Sequence, residues 1–164
     1  MIAEIGHFAL ILALAVAAYQ TLVPLMGAAR GNRQMIVSAV PATLIQLVLV
    51  YVAFAALTHA YLISDFSVQN VFENSHSAKP LLYKISGVWG NHEGSMLLWV
   101  FILASFGGAV AIFGENLPPT LRARVLAVQG LIGVGFLAFM LFTSNPFLRL
   151  DPPPLDGQGF NPIL

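Results

Sequence analysis

The seventeen residues from Tyr83 to Trp99, YKISGVWGNHEGSMLLW, hold both tryptophans of the chain, three glycines and an adjacent His92-Glu93 pair. If this stretch is helical, Trp89, His92 and Glu93 stand at i, i+3 and i+4 and share one face. That face would offer an aromatic ring to stack on, a ligand or proton carrier, and a carboxylate to orient the imidazole. Gly87, Gly90 and Gly94 let backbone approach a flat ligand or a neighbouring helix closely. Ser95 is the expected helix cap, with the preceding amides able to receive an anion at the positive helix end. The plain alternative is an aromatic belt at a membrane–water interface beside a capped helix start. Trp89, His92, Glu93 and Trp99 are the candidate binding residues on this reading, and no residue is assigned a catalytic role or a metal.

Other chemistries find no support. His92-Glu93 is followed by Gly94-Ser95 and so lacks the second histidine of a zinc-protease helix. The absence of cysteine removes disulfides, thiolate metal sites, thiol catalysis and covalent haem carriage through Cys-x-x-Cys-His. Seven basic residues balance seven acidic ones, so no footprint for nucleic acid exists. Gly130, Gly133 and Gly135 follow no strand and sit among apolar residues, where they suit close helix packing, as do Gly107 and Gly108. No Ser-His-Asp arrangement or pair of catalytic carboxylates is defensible.

The elements that must position the block are membrane helices. Only 9% of the 164 residues are charged against 58% hydrophobic, and the mean hydropathy is +0.83. So few charges cannot cover a water-soluble globule, whose charged fraction is about 25%. The fold expected is an all-α membrane protein with four spans, near 5–26, 35–62, 95–113 and 125–142, making residues 1–144 a transmembrane region. The run to Met26 is too long for a secretory h-region and its start carries Glu4 instead of a basic residue, so the first helix is expected to be retained. Pro41 predicts a kink near the start of the second span. Tyr19 and Gln46 are the expected interhelical hydrogen-bonding residues, and no acidic or basic side chain lies deep in a span.

Arg30, Arg33, Arg122 and Arg124 cluster in the two short connectors, which places those connectors inside and both termini and the long 63–94 loop outside. This topology brings His7, His59, His76 and His92 to one membrane face, either as haem-iron ligands and proton carriers or as interfacial residues making ordinary hydrogen bonds. The tail, 145–164, is too rich in proline and glycine for a helix and reads as the opening of a structured outer segment.

The Trp89-Gly90-Asn91-His92-Glu93-Gly94-Ser95 block, with Glu4-Ile5-Gly6-His7-Phe8-Ala9-Leu10 and the tail from Asn145-Pro146-Phe147 to Gly157-Gln158-Gly159-Phe160-Asn161-Pro162, resembles the CcmF-type cytochrome c maturation family. The similarity runs over essentially the whole chain and matches the amino-terminal quarter of a bacterial, proteobacterial member. It implies a component of the haem lyase machinery of the bacterial inner membrane. Such a component receives haem from a periplasmic chaperone and helps attach it to apocytochrome c alongside the other maturation subunits, with lipid around its helices. It also implies a haem b in the complete protein, held by residues that follow this chain. The family's Trp-rich haem-handling signature has no match here, so haem is not expected to bind to this chain alone. Two other readings stand beside it: a small proton- or quinone-linked subunit of a respiratory complex, and a scaffold that binds no cofactor.

Overall fold

A computed structural model describes residues 1–159; Phe160 to Leu164, the last part of the predicted outer tail, lie outside the described residues. Among the described residues, α1 (Ile2–Arg30), α2 (Arg33–Val37), α3 (Ala39–Leu62), α4 (Gln69–Asn74), α5 (Leu81–Gly87), α6 (His92–Phe113) and α7 (Pro119–Phe142) follow one another, with one 3-10 turn at Gly114–Asn116. Four segments are long and apolar enough to cross a membrane: Ile2–Arg30, Arg33–Leu62, His92–Asn116 and Pro119–Phe142. The chain is a multi-pass, all-α membrane protein.

Each spanning segment begins a few residues before the apolar window that announces it, because polar ends extend it beyond the hydrocarbon. Pro119 occupies the first turn of α7, where its missing N–H costs nothing. Gly31, at φ 67°, ends α1 in the left-handed conformation, its N–H bonded to Gly27 O. The second span is broken at Ser38, between α2 and α3. Pro41 lies three residues further on, and its ring cannot accommodate an unbroken helical carbonyl at residue 37.

The four long helices run up and down in the ring order α1–α3–α6–α7. α1 packs on α3 and α7, α6 packs on the same two, and α3 meets α7 across the middle. Small residues make this possible. α1 buries Ala3, Gly6, Ala9, Ala13 and Ala17, spaced at helical intervals; α3 buries Ala42, Ala53, Ala56 and Ala60; α6 buries Ala104, Gly107 and Gly108. Large side chains such as Phe8, Phe106, Phe113 and Phe142 point outward. In lipid the outward face carries no hydrophobic penalty, so close backbone approach along a small-residue seam drives association.

Polar side chains inside the bundle differ from those expected. Tyr19 is exposed, and the residue beside it, Gln20, is the one turned inward. Gln20 Nε2 donates to Leu126 O at 2.7 Å and to Gln129 Oε1 at 3.0 Å, while Gln129 Nε2 donates to Leu103 O at 3.2 Å, tying α1, α7 and α6 together. Helical phase decides this, since adjacent residues on a helix point about 100° apart. Gln46 is buried as its position suggests, yet its Oε1 accepts no hydrogen bond from any of the described residues.

Candidate functional site

Both the start of α1 and the segment between α3 and α6 lie at one end of the bundle, together with the tail after α7. The other end carries Arg30, Arg33, Arg122 and Arg124 with Glu115 as its acid, and the loop end carries the remaining six carboxylates. His7, His59, His76 and His92 all fall at the loop end, but they do not converge. His59 and His92 are exposed, His7 Nε2 lies 3.3 Å from Asn145 Nδ2, and His76 Nδ1 accepts from Ala78 N. Among the described residues no three His, Asp, Glu or Cys side chains form a metal-holding group.

The long loop is built, not open. After Ser64, at φ 55°, α5 packs over the end of α3, and α4 is tied to it through Asn70 and Tyr61. At the centre of this layer is a closed network. Tyr61 Oη donates to Asn70 Oδ1 at 2.7 Å, and Asn91 Nδ2 donates to Tyr61 Oη at 3.0 Å and to Gly87 O at 2.9 Å. Asn70 Nδ2 donates to Asn91 Oδ1 at 2.8 Å and to Glu93 Oε2 at 3.1 Å. Asn91 Oδ1 also accepts Gly94 N at 2.8 Å, which makes Asn91 the N-cap of α6. Ser95, the expected cap, instead donates from Oγ to Trp89 O at 2.7 Å. The displacement has a local cause: Asn91 is extended, at φ −130° and ψ 172°, and its short amide reaches the third helical N–H.

This cap splits the predicted one-face cluster. α5 ends at Gly87 and α6 begins at His92, so Trp89 stands in the turn between them and shares no helical face with His92. Glu93 turns inward to Asn70 and borders a polar cleft of about 140 Å³ with Glu73, Ser144 and Asn145. His92 turns outward and meets Phe139 of α7 edge-on, ring centroids 6.3 Å apart. Two turns along the same face, Trp99 lies against Phe136, centroids 6.4 Å apart. Between these pairs runs an apolar groove of about 310 Å³ lined by Met96, Ile132, Gly135, Phe136 and Phe139. Of the four candidate residues, His92 and Trp99 therefore share a surface, Glu93 serves the interior network, and Trp89 sits half-exposed above it.

The described residues do not enclose a haem. Closely packed side chains, alanines with Leu10, Leu57, Leu97 and Met140 among them, fill the interior between the helices, and the histidines offer no facing pair of ligands. What fits a flat apolar macrocycle is one wall only, the α6–α7 groove with the His92 imidazole at its rim.

The tail is folded back over the same end. Phe147 is buried between Gly6 of α1 and Ala56 of α3. Gln69 N donates to Leu148 O and Leu150 N to Ser67 O, both at 2.8 Å, and Gln158 N donates to Phe72 O at 2.7 Å. Arg149 reaches Glu4 Oε1 at 2.5 Å and Asp65 Oδ2 at 3.2 Å and also donates to Ser67, so it joins the first turn of α1 to the loop. Burial pulls the Arg149 guanidinium down, but its bond to Glu4 and the nearby Asp65 carboxylate outweigh that and hold it above its ordinary value. Asp156 accepts Ser77 Oγ at 2.6 Å, Ser77 N at 3.0 Å and Gly157 N at 2.8 Å. The Ser77 bonds, its hydroxyl foremost, hold the Asp156 carboxyl down to about 2 from 3.8.

That depression sets a pH window. A carboxyl lowered by folding contributes stability that is complete above its ordinary value and is lost as pH falls through the lowered one. The strap between Ser77 and Asp156 is therefore expected to stay closed as pH falls past 4 and to open only near 2. Spin labels at Leu81 and Leu155, both exposed and introduced through cysteine in a chain that has none, report the separation. A separation that grows already between pH 5 and 4 would show that Asp156 is not held as described.

None of Asn91, Tyr61, Asn70, Phe147 and Arg149 stands out in the sequence as a site residue. Asn91 alone carried a readable signal, an N-cap residue ahead of an apolar run. The others act through partners far along the chain.

No protein-family model matches the chain. It is 63% identical over its full length to the cytochrome c-type biogenesis protein ccl1 of Rhodobacter capsulatus, covering 25% of that protein. It is 53% identical to the cytochrome c-type biogenesis protein CcmF of Pseudomonas aeruginosa, again over all of this chain and 25% of the relative. The solved structure titled Cytochrome c Heme Lyase CcmF superposes with a TM-score of 0.82 at 26% identity, over 93% of this chain and 26% of that one. The chain thus spans about a quarter of the length of the relatives it matches. Identity at this level over the whole of this chain, on a shared four-helix fold, shows that the chain corresponds to the amino-terminal portion of the CcmF/CycK cytochrome c-type biogenesis proteins.

Proposed function

We propose that this chain acts within the haem lyase machinery for cytochrome c maturation, helping to position haem for covalent attachment to apocytochrome c at the periplasmic face. The observation that carries this reading is the α6–α7 face, where His92 and Trp99 flank an apolar groove that the rest of the bundle leaves open. The groove supplies one wall of a site, and the remaining three quarters of a full-length family member supply the others. The haem being attached is held there together with residues outside this chain, and the haem b of the complete protein is a second haem, held by residues that follow this chain. Haem chaperone, apocytochrome c and the other lyase subunits are its partners. The arginine-rich connectors face the cytoplasm and the strapped loop end faces the periplasm, as the positive-inside bias favours. Trp89, half-exposed next to the turn, faces haem or apocytochrome, and Glu93 positions the turn through Asn70.

Holocytochrome c yield in cells carrying the full-length protein tests the assignment. His92→Ala and Trp99→Ala are expected to lower the yield by about tenfold, equivalent to roughly 1.4 kcal/mol of lost positioning. Glu93→Gln, which keeps an acceptor for Asn70, is expected to have a smaller effect. Normal maturation with both His92 and Trp99 replaced, at unchanged protein level, would remove this face from the haem path. A scaffold without cofactor contact would then be the better description.

A further inference from the structure

Inside the bundle, away from the proposed haem face, the hydrogen-bond count of the glutamines does not close. Gln20 and Gln46 are buried to 0% and 1% exposure, and Oε1 of each has no donor among the described residues. An amide carbonyl left bare in an apolar interior keeps the full cost of its desolvation, so a native interior supplies a donor. The nearby hydroxyls and Gln20's own amide have none to give. Both hydrogens of Gln20 Nε2 go to Leu126 O and Gln129 Oε1. Thr21 Oγ1 donates to Ala17 O and Thr43 Oγ1 to Ala39 O, each at 2.8 Å. Gln129 Nε2 gives one of its hydrogens to Leu103 O.

The two bare oxygens belong to one neighbourhood. A Cβ on Gly133 would lie 2.7 Å from Gln46 Nε2 and 3.9 Å from Ala17 Cβ. A Cβ on Gly130 would lie 3.2 Å from both Ala17 O and Gln20 Cδ. Gly130 and Gly133 are i and i+3 on α7, so both amides face the same strip of α7 beside Ala17, about one turn apart. The missing side chains of these glycines are what leave room for the polar groups. Counted from the connector end of their helices, the two glutamines lie roughly 10–15 Å deep.

We propose that the bundle holds an internal water site between α1, α3 and α7, at which bound water donates hydrogen bonds to Gln20 Oε1 and Gln46 Oε1. The ligand must donate and must be small, because the seam is closed by Ala17, Gly130 and Gly133. Water meets both needs, and its oxygen can in turn accept from Gln46 Nε2. A metal cation would need several oxygens to replace its hydration shell, and these two carbonyls are too few. The site is separate from the α6–α7 groove and stands whether or not that groove meets haem.

The test uses the full-length protein in lipid nanodiscs. A cryo-EM map that shows ordered solvent is expected to hold one or two water densities within about 3 Å of both oxygens. With carbon-13 glutamine, the side-chain carbonyl infrared band is expected at a hydrogen-bonded frequency and to shift between H2O and D2O. The band is expected to lose that component in the volume-matched Q20M and Q46M. Two results overturn the proposal: an absence of density with a free-carbonyl band, or a rotated Gln46 whose Nε2 donates directly to Gln20 Oε1. The wild-type map and band decide the matter even if a variant does not fold.

Discussion

Gly94→Ala is expected to destabilise the protein by more than about 4 kcal/mol, at the far end of what single substitutions do. A Cβ on Gly94 would stand 1.6 Å from Val88 O and 2.8 Å from Val88 C. Both are backbone atoms, and Val88 is itself fully buried, so no side-chain rotation relieves the clash. The first turn of α6 must then move, which breaks the 2.8 Å bond from Gly94 N to Asn91 Oδ1. Asn91 is also bound to Tyr61, Asn70 and Gly87, so the damage spreads from a helix cap to the layer that closes the loop end. Gly135→Ala is the control: nothing lies within 4 Å of its Cβ, and alanine is the better helix former by about 1 kcal/mol. Thermal unfolding of the full-length protein in detergent should separate the two variants widely, with holocytochrome c lost in Gly94→Ala. Equal stability of the two would mean that the turn between α5 and α6 is not built as described.

Phe147→Ala is expected to cost about 3–5 kcal/mol, the usual loss when a buried aromatic ring is truncated and its cavity only partly collapses. Phe147 is 3% exposed, and a Cβ on Gly6 would approach its Cζ at 2.4 Å and Ala56 Cβ at 2.9 Å. Its ring therefore fills a slot that α1 and α3 leave by carrying glycine and alanine there. Without the ring, the tail keeps only its backbone bonds to the loop and the Arg149 and Asp156 side-chain contacts. Those contacts are at least partly exposed and individually weak. Limited proteolysis should then cut within 148–159 at protein concentrations and temperatures where the unmodified protein is protected. Gly6→Ala, which displaces the same ring from the other side, should give the same cleavage. A tail that stays protected in both variants would assign its docking to the loop bonds instead.

Much of this was visible in the amino-acid sequence. Length and hydropathy determined four membrane helices, because a bilayer demands about twenty apolar residues in a row whatever their order. The Trp89–Trp99 block and the tail carried the family resemblance. The order of charges along the chain put the four connector arginines at one end and the four histidines at the other. These are properties of composition and one-dimensional order.

Only the tertiary structure decided which way each side chain points. In a bilayer both faces of a helix are apolar, so hydropathy does not say that Ala13 is inside and Phe8 outside; size complementarity with the neighbouring helix does. The same limit explains why Gln20, not Tyr19, ties α1 to α7, and why Gly107 and Gly133 sit where Gln129 and Gln46 need space. His92 and Glu93 are adjacent in sequence, yet the Asn91 cap sends one to the lipid-side groove and the other into the Tyr61–Asn70 network. Phe147 reads as one more apolar residue in an irregular tail until α1 and α3 meet beneath it. Contacts between residues far apart in the chain depend on which surfaces fit, and that information exists only once the helices are packed.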